Sequence, residues 1–181
     1  VYDLEKLAEQ ACGHWLVLTG CRKGTVRQAL AQGHASAELD RLVALFGHEN
    51  VVVELWDHGN PLDSAHNDAL FELAREKSLR VVATSNAHYA TPEQHHLHSA
   101  LSAVRARRSL DEMDGWLPAA GTAHLRSGAE MATRFARYPG AVEAAARLGL
   151  ECAFDLKLVA PDLPPYPCPP DDSGRRPLGG R

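Results

Sequence analysis

The apolar run Val51-Val52-Val53 constrains the fold of this chain more than any other feature. Three consecutive β-branched residues favour a strand that is buried on both faces, which is typical of a parallel sheet covered by helices. A second strand is predicted from Arg80 to Ala83, and an amphipathic helix is predicted between the two, from Asp63 to Lys77. Strands that alternate with helices predict an α/β fold built on a parallel sheet or barrel.

The segments on either side continue the same alternation. Two capping boxes, Thr91 to Gln94 and Ser127 to Glu130, predict the starts of further helices. The other predicted elements are helices at Leu4 to Ala11, Val26 to Gln32, Ser36 to Phe46 and Ala141 to Leu148 (ended by Gly149), a strand at Trp15 to Leu18, and an extended segment at Phe154 to Val159. From Pro161 onward the chain is rich in Pro, Gly and Arg, a composition that predicts disorder.

The composition narrows the classes of protein to which this chain could belong. A length of 181 residues with 45% hydrophobic content suits one globular domain. The formal net charge of -4 argues against general binding to nucleic-acid phosphates, and no apolar run approaches the ~20 residues that span a bilayer. The four cysteines have no Cys-x-x-Cys spacing and are too sparse for a disulfide scaffold. We therefore expect a cytoplasmic protein with reduced thiols.

Polar residues follow the predicted strands at the points where α/β proteins commonly mount metal ligands and catalytic groups. Asn86 and His88 come just after the third predicted strand, and Cys21 lies in a glycine-flanked turn after the first. Glu54 and His58 flank the end of the predicted strand Val51 to Leu55, where a role in hydrogen bonding is favoured over direct metal binding. A simple helix-capping turn is the alternative interpretation of Asn86 and His88.

Four motifs of this chain occur together and in a fixed order: Leu18 to Gly24, Val53 to Gly59, Val82 to Tyr89, and Arg105 to Trp116. By these motifs the chain resembles the PHP (polymerase and histidinol phosphatase) domain of bacterial DNA polymerase III α-type subunits, and it is most similar to the error-prone branch. The resemblance covers roughly Leu4 to Pro167. It implies a partial, distorted (β/α) barrel with a metal site at the carboxyl ends of its strands.

The resemblance implies that Cys21, Asn86 and His88 are metal ligands, but two features depart from the family pattern. Asn86 stands where the family has Asp, and an amide binds a hard cation through its carbonyl oxygen without adding charge. No His-x-His pair occurs ahead of Cys21, although the family carries one on its opening strand. The run His96-Leu97-His98 has the right spacing but is predicted to lie on a helix facing solvent. The metal site is therefore expected to be incomplete.

The resemblance also implies how the chain is divided. Residues 1–108 are expected to be the C-terminal part of the PHP domain, residues 109–160 a small helical segment that leads toward the polymerase body, and residues 161–181 a disordered tail. The catalytic aspartates of the family belong to a palm domain that this sequence does not contain. We therefore expect a fragment of an error-prone DNA-directed DNA polymerase, inactive on its own.

We call the complete polymerase, of which this chain is expected to be a fragment, the parent. The expected cofactors and partners are those of this parent nucleotidyltransferase. The parent is expected to use divalent zinc, manganese or magnesium, to contact DNA and other replication or repair proteins, and to synthesise DNA past damage. The fragment itself has no nucleic-acid-binding motif. Whether it binds a metal ion on its own stays open. Two other functions stay open: a stand-alone PHP-type phosphoesterase, in which a metal cluster activates water, and a non-catalytic remnant or interaction module.

Overall fold

Helices and strands alternate along the part of the chain that the computed structural model describes, residues 3–113, 117 and 120–159. The strands are β1 (Val17–Leu18), β2 (Val51–Leu55) and β3 (Arg80–Ala83). The helices are α1 (Leu4–Ala11), α2 (Thr25–Ala31), α3 (Ala35–Phe46), α4 (Asp63–Glu76), α5 (His95–Ala106), α6 (Gly128–Arg134) and α7 (Ala141–Glu151). Both predicted capping boxes are present, one ahead of α5 at Thr91 and one at the start of α6 at Ser127.

The three strands form a parallel sheet in the order β1-β2-β3. Val17 lies opposite Val51, and Val53 lies opposite Val81. All five residues of the central strand β2 are buried, which confirms the prediction from the valine run. Helices α2 and α3 connect β1 to β2, and α4 connects β2 to β3, because parallel strands need crossover connections. The α/β class is therefore confirmed, whereas a barrel of the PHP type stays a prediction.

The hydrophobic core lies where helices pack against β2 and β3. Helices α3 and α4 contact β2, and α7 contacts β3. The core includes Leu39 and Phe46 of α3, Leu70 and Ala74 of α4, and Ala141 of α7. Because α7 packs on β3, a helix from the segment that follows residue 109 shares the core of the sheet.

Three local predictions from the sequence are wrong. β1 contains only Val17–Leu18 and does not begin at Trp15. Gly149 does not end α7, which continues to Glu151, because a glycine inside a helix costs only about 1 kcal/mol. The segment predicted to be extended instead forms a 3₁₀ turn at Leu156–Val159, in which the amide of Leu158 donates to the carbonyl oxygen of Asp155 at 3.0 Å.

The described residues up to Glu151 form one compact unit, and those from Cys152 belong to a second. The predicted division near residue 108 stays a prediction, and the tail predicted to be disordered, residues 161–181, lies outside the described residues. Within the described ranges, no helix is both long and apolar enough to cross a lipid bilayer.

Candidate functional site at the carboxyl edge of the sheet

Three loops meet the same edge of the sheet, because the strands that precede them run parallel. Residues 19–24 follow β1, residues 56–62 follow β2, and residues 84–89 follow β3. All the predicted site residues, Cys21, Glu54, His58, Asn86 and His88, lie at this edge. We call it the carboxyl edge.

Glu54 joins the ends of all three strands. Its side chain is buried, and one carboxylate oxygen accepts a hydrogen bond from the Thr84 hydroxyl at 2.6 Å. Its backbone amide donates to the hydroxyl of Thr19, another buried residue, at 2.9 Å. These two hydrogen bonds connect β2 to the residues that directly follow β1 and β3, and so fix the spacing of the strand ends. Glu54 therefore has a structural role at the edge.

The His58 imidazole ties the loop after β2 to the loop after β3. Its Nε2 lies 3.0 Å from the carbonyl oxygen of Ser85 and 3.1 Å from that of Asn86. Carbonyl oxygens only accept hydrogen bonds, so Nε2 carries the proton. The amide of His58 donates to the carboxylate of Asp63 at 2.9 Å, which anchors the loop to the first residue of α4. His58 thus supports the backbone beside Asn86.

Asn86 adopts a backbone conformation that explains why a short polar residue stands there. Its φ is +40°, in the left-handed region that Asn and Asp tolerate better than other residues with a side chain. Its amide donates to the hydroxyl of Thr84 at 3.2 Å. The position therefore has a conformational reason for Asn or Asp, independent of any metal.

His88 contacts a histidine that the sequence did not single out as a site residue. Its Nδ1 lies 3.2 Å from Nε2 of His98, and its ring meets the His58 ring edge-on with centroids 5.8 Å apart. The prediction that the His96-Leu97-His98 run faces solvent is wrong for His98, although His96 is exposed. The signal in the sequence was helical spacing, since His95, His98 and Ser102 lie on one face of α5.

The electrostatic surroundings of His88 are positive. Although its side chain reaches the surface, partial burial lowers the pKa of His88, and the nearby imidazoles of His98 and His58 and the cations of Arg22 and Lys23 lower that pKa further. Burial also lowers the pKa of His98. Both imidazoles are therefore held in the neutral form near pH 7, with lone pairs available to accept a proton or bind a ligand.

The turn after β1 brings its cations, Arg22 and Lys23, within electrostatic range of His88, so it lies on the same side of the sheet. Cys21 is half-buried in this turn, and the amide of Gly24 donates to its carbonyl oxygen at 2.7 Å. A Cβ at position 24 would lie 2.5 Å from the carbonyl oxygen of Thr19, so only glycine fits.

The residues at this edge fit a tightly held divalent cation poorly. The cations of Arg22 and Lys23 lie within electrostatic range of His88, and their charges disfavour a further positive ion. Within the described ranges, no three His, Cys, Asp or Glu side chains lie close enough together to share a metal ion. The trio of Cys21, Asn86 and His88 therefore stays a prediction, and the close contact in the structure is the pair His88 and His98.

Arg27 is a buried arginine beside the same edge. The sequence gave no reason to single it out. The guanidinium of Arg27 donates to the amide oxygen of Asn67 at 2.7 Å and lies over the Trp56 ring, 4.5 Å from its centroid. The amide nitrogen of Asn67 donates to the carbonyl oxygen of Trp56 at 3.0 Å. Burial lowers the pKa of Arg27, although Asp63 and Glu54 act in the opposite direction. These contacts connect α2, α4 and the end of β2.

Comparison with known proteins gives a consistent result. The chain is 60% identical over 171 residues to the error-prone DNA polymerase of Cutibacterium acnes, 53% identical over 177 residues to that of Nocardia farcinica, and 53% identical over 171 residues to that of Mycobacterium tuberculosis. Each match covers 93% of this chain but only 15% or 16% of the relative. No protein-family profile matches the chain. The chain therefore spans about 15% of the length of these relatives.

Proposed function

We propose that this chain, a segment of an error-prone DNA polymerase by its similarity to these relatives, is the PHP domain of that enzyme and supports its polymerase body. The observation that carries the proposal is 60% identity over 93% of the chain to one part of such a polymerase. The parallel α/β sheet with polar loops at its carboxyl edge is compatible with a PHP domain. The parent would extend DNA past damage, using magnesium and deoxynucleotides.

The segment is proposed to lack the polymerase active site. Nucleotidyl transfer needs carboxylates placed to hold two metal ions. Of the acidic residues after α5, Glu112 instead accepts hydrogen bonds from the amide and hydroxyl of Ser109, at 2.8 and 3.0 Å, and Asp111 lies in the same 3₁₀ turn. Asp114 lies outside the described residues. Glu112 therefore shapes a turn. DNA and the other replication or repair proteins are partners that we assign to the parent.

The carboxyl edge is proposed to be a metal site that has lost affinity in this segment. Cys21 and His88 offer a thiol and a neutral imidazole, and Asn86 offers a carbonyl oxygen without charge. If zinc, manganese or magnesium binds, these residues would hold it beside the His98 imidazole. The cations Arg22 and Lys23 weaken such binding.

Two assays with a purified chain of residues 1–181 test the proposal. We expect no primer extension on a DNA template and no release of phosphate from a generic phosphate ester. The matched control is the His88→Ala variant, which removes the predicted ligand but leaves the strands intact. The polypeptide encoded by the full reading frame should extend primers, including across a damaged base.

Activity of the short chain would contradict the proposal. Phosphate release that His88→Ala abolishes would establish a stand-alone phosphoesterase. Primer extension by residues 1–181 would place a polymerase site inside the segment. A full reading frame without primer extension would leave a non-catalytic module as the function.

A further inference from the structure

Helix α5 exposes a row of large apolar side chains. Leu97 is 60% exposed, Leu101 is 60% exposed and Val104 is 74% exposed. Their spacing of four and then three residues places them on one face of the helix. Single exposed leucines are common on protein surfaces, but a continuous apolar row on one helix face commonly marks a binding surface. We call these three residues the α5 row.

The opposite face of α5 is more polar than the exposed one. Ser99 and Ala103 are the buried residues of this helix, and His95, His98 and Ser102 lie half-buried beside them. The usual pattern of a surface helix, with apolar residues inward and polar residues outward, is therefore reversed. Burying Ser99 required a hydrogen bond, which its hydroxyl makes to the carbonyl oxygen of His95 at 3.0 Å.

The α5 row does not need a partner for the helix itself to form. A capping box at Thr91 and Gln94 starts the helical segment, and Arg107 ends it in the left-handed conformation, with its amide bonded to carbonyl oxygens of the last turn. The side chains are therefore presented on a finished helix. Within the part of the chain that the structure describes, these side chains stay largely exposed.

The size of the α5 row decides which occupant it fits. Two separate chains need about 800 Å² per partner for a stable, specific contact, and three aliphatic side chains on a helix about 18 Å long offer much less. A surface of the same polypeptide needs far less area, because the covalent connection gives it a high effective concentration. This chain matches only about 15% of its relatives' length, so most of such a polypeptide lies outside it.

We propose that Leu97, Leu101 and Val104 dock onto an apolar surface of the parent polymerase body, outside this segment. This inference rests on the proposed function, since it assigns the surface by which the PHP segment supports that body. His96 and Arg105, which are also exposed on α5, form a polar rim beside the row. The row therefore has the apolar centre and polar margin of a protein contact.

Photo-crosslinking in the full-length parent tests the contact. Leu101 is replaced by p-benzoylphenylalanine, and Ala44, an exposed residue of α3, is replaced in a matched control. We expect position 101 to crosslink within the same polypeptide to peptides of the polymerase body, and position 44 not to do so. Crosslinks to other parts of the PHP domain would overturn the proposal. Crosslinks between two polypeptides would identify a second copy as the occupant and overturn the proposal. Equal yields at both positions would overturn it as well.

Hydroxyl-radical footprinting of the unmodified parent provides a second test that does not depend on a substituted residue. Oxidation of Leu97, Leu101 and Val104 is compared between the native and the urea-denatured protein. If the polymerase body covers the α5 row, these three side chains should lose almost all of their oxidation in the native protein. Oxidation of Leu101 at about 60% of the denatured level, its exposure in the uncovered segment, would overturn the proposal.

These outcomes separate the contact from the proposed function. Primer extension by the same preparation reports whether the parent is a polymerase. An intramolecular crosslink in a protein that does not extend primers would support the contact and refute the polymerase function. A protein that extends primers while the α5 row stays exposed would support the polymerase function and refute the contact.

Discussion

At the scale of single residues, the properties of His88 are set by segments far apart in the sequence. His98 comes from α5, His58 from the loop after β2, and Arg22 and Lys23 from the turn after β1. Each of these neighbours makes a proton on His88 less favourable, in addition to partial burial. The imidazole is therefore kept neutral by its surroundings and not by a single partner.

Replacing His98 should raise the pKa of His88. The variant His98→Ala removes the strongest charge effect on His88 and also uncovers one side of its ring, so both changes favour the protonated form. The pKa is measured by NMR titration of the imidazole protons. His96→Ala on the same helix is the control and should leave the pKa of His88 unchanged, because His96 is exposed and does not contact it. An unchanged or lower pKa in His98→Ala would show that the pair does not interact as the geometry indicates.

The residue scale also shows where sequence reasoning stops. Asn86 and His88 could be found because they follow a strand, and strand ends are recognisable from β-branched runs. His98 could not be placed, since only the tertiary fold decides which face of α5 turns toward the sheet. Arg27 has the same problem: nothing in the sequence distinguishes an arginine that is buried over Trp56 from one in solvent.

At the scale of elements, helices and strands were predictable where local chemistry fixes them. α1 and β3 have the predicted bounds, and the capping boxes begin helical segments as expected. Two of the three failures, at Gly149 and Leu156–Val159, lie where propensity is weak and neighbouring contacts decide. The buried hydrogen bond between Arg27 of α2 and Asn67 of α4 was not predictable from either helix alone.

The contact between Arg27 and Asn67 should be a major source of stability between these helices. Asn67→Ala leaves the buried guanidinium without its acceptor, and we expect the free energy of unfolding to fall by about 2 kcal/mol. Urea denaturation measures it. Gln28→Ala, which removes an amide from the exposed face of α2, is the matched control and should change the value by less than about 0.5 kcal/mol. Equal effects of the two variants would mean that the buried contact contributes nothing specific.

At the scale of the whole molecule, the sheet has two edge strands. Within the described residues, β1 and β3 each pair only with β2, but α7 packs on β3. Trp15 and Leu18 beside the β1 edge are 45% and 41% exposed. If the parent continues the sheet into a PHP barrel, as we propose, a further strand covers this edge there. In the isolated chain the edge offers unpaired backbone groups next to apolar surface, a combination that favours association.

The isolated chain should therefore self-associate through β1, and a charge on that strand should prevent it. Leu18→Lys places a positive charge at the edge, where lysine blocks the approach of another strand. We expect sedimentation velocity to show a smaller fraction of oligomer for this variant than for the unmodified chain at equal concentration. Leu150→Lys makes the same substitution at an exposed leucine of α7, away from the edge, and controls for the added charge. Strand pairing is specific to the edge, so only Leu18→Lys should restore the monomer. A monomeric unmodified chain with a sharp cooperative melt, or equal effects of both lysines, would show that β1 is not an unfinished edge.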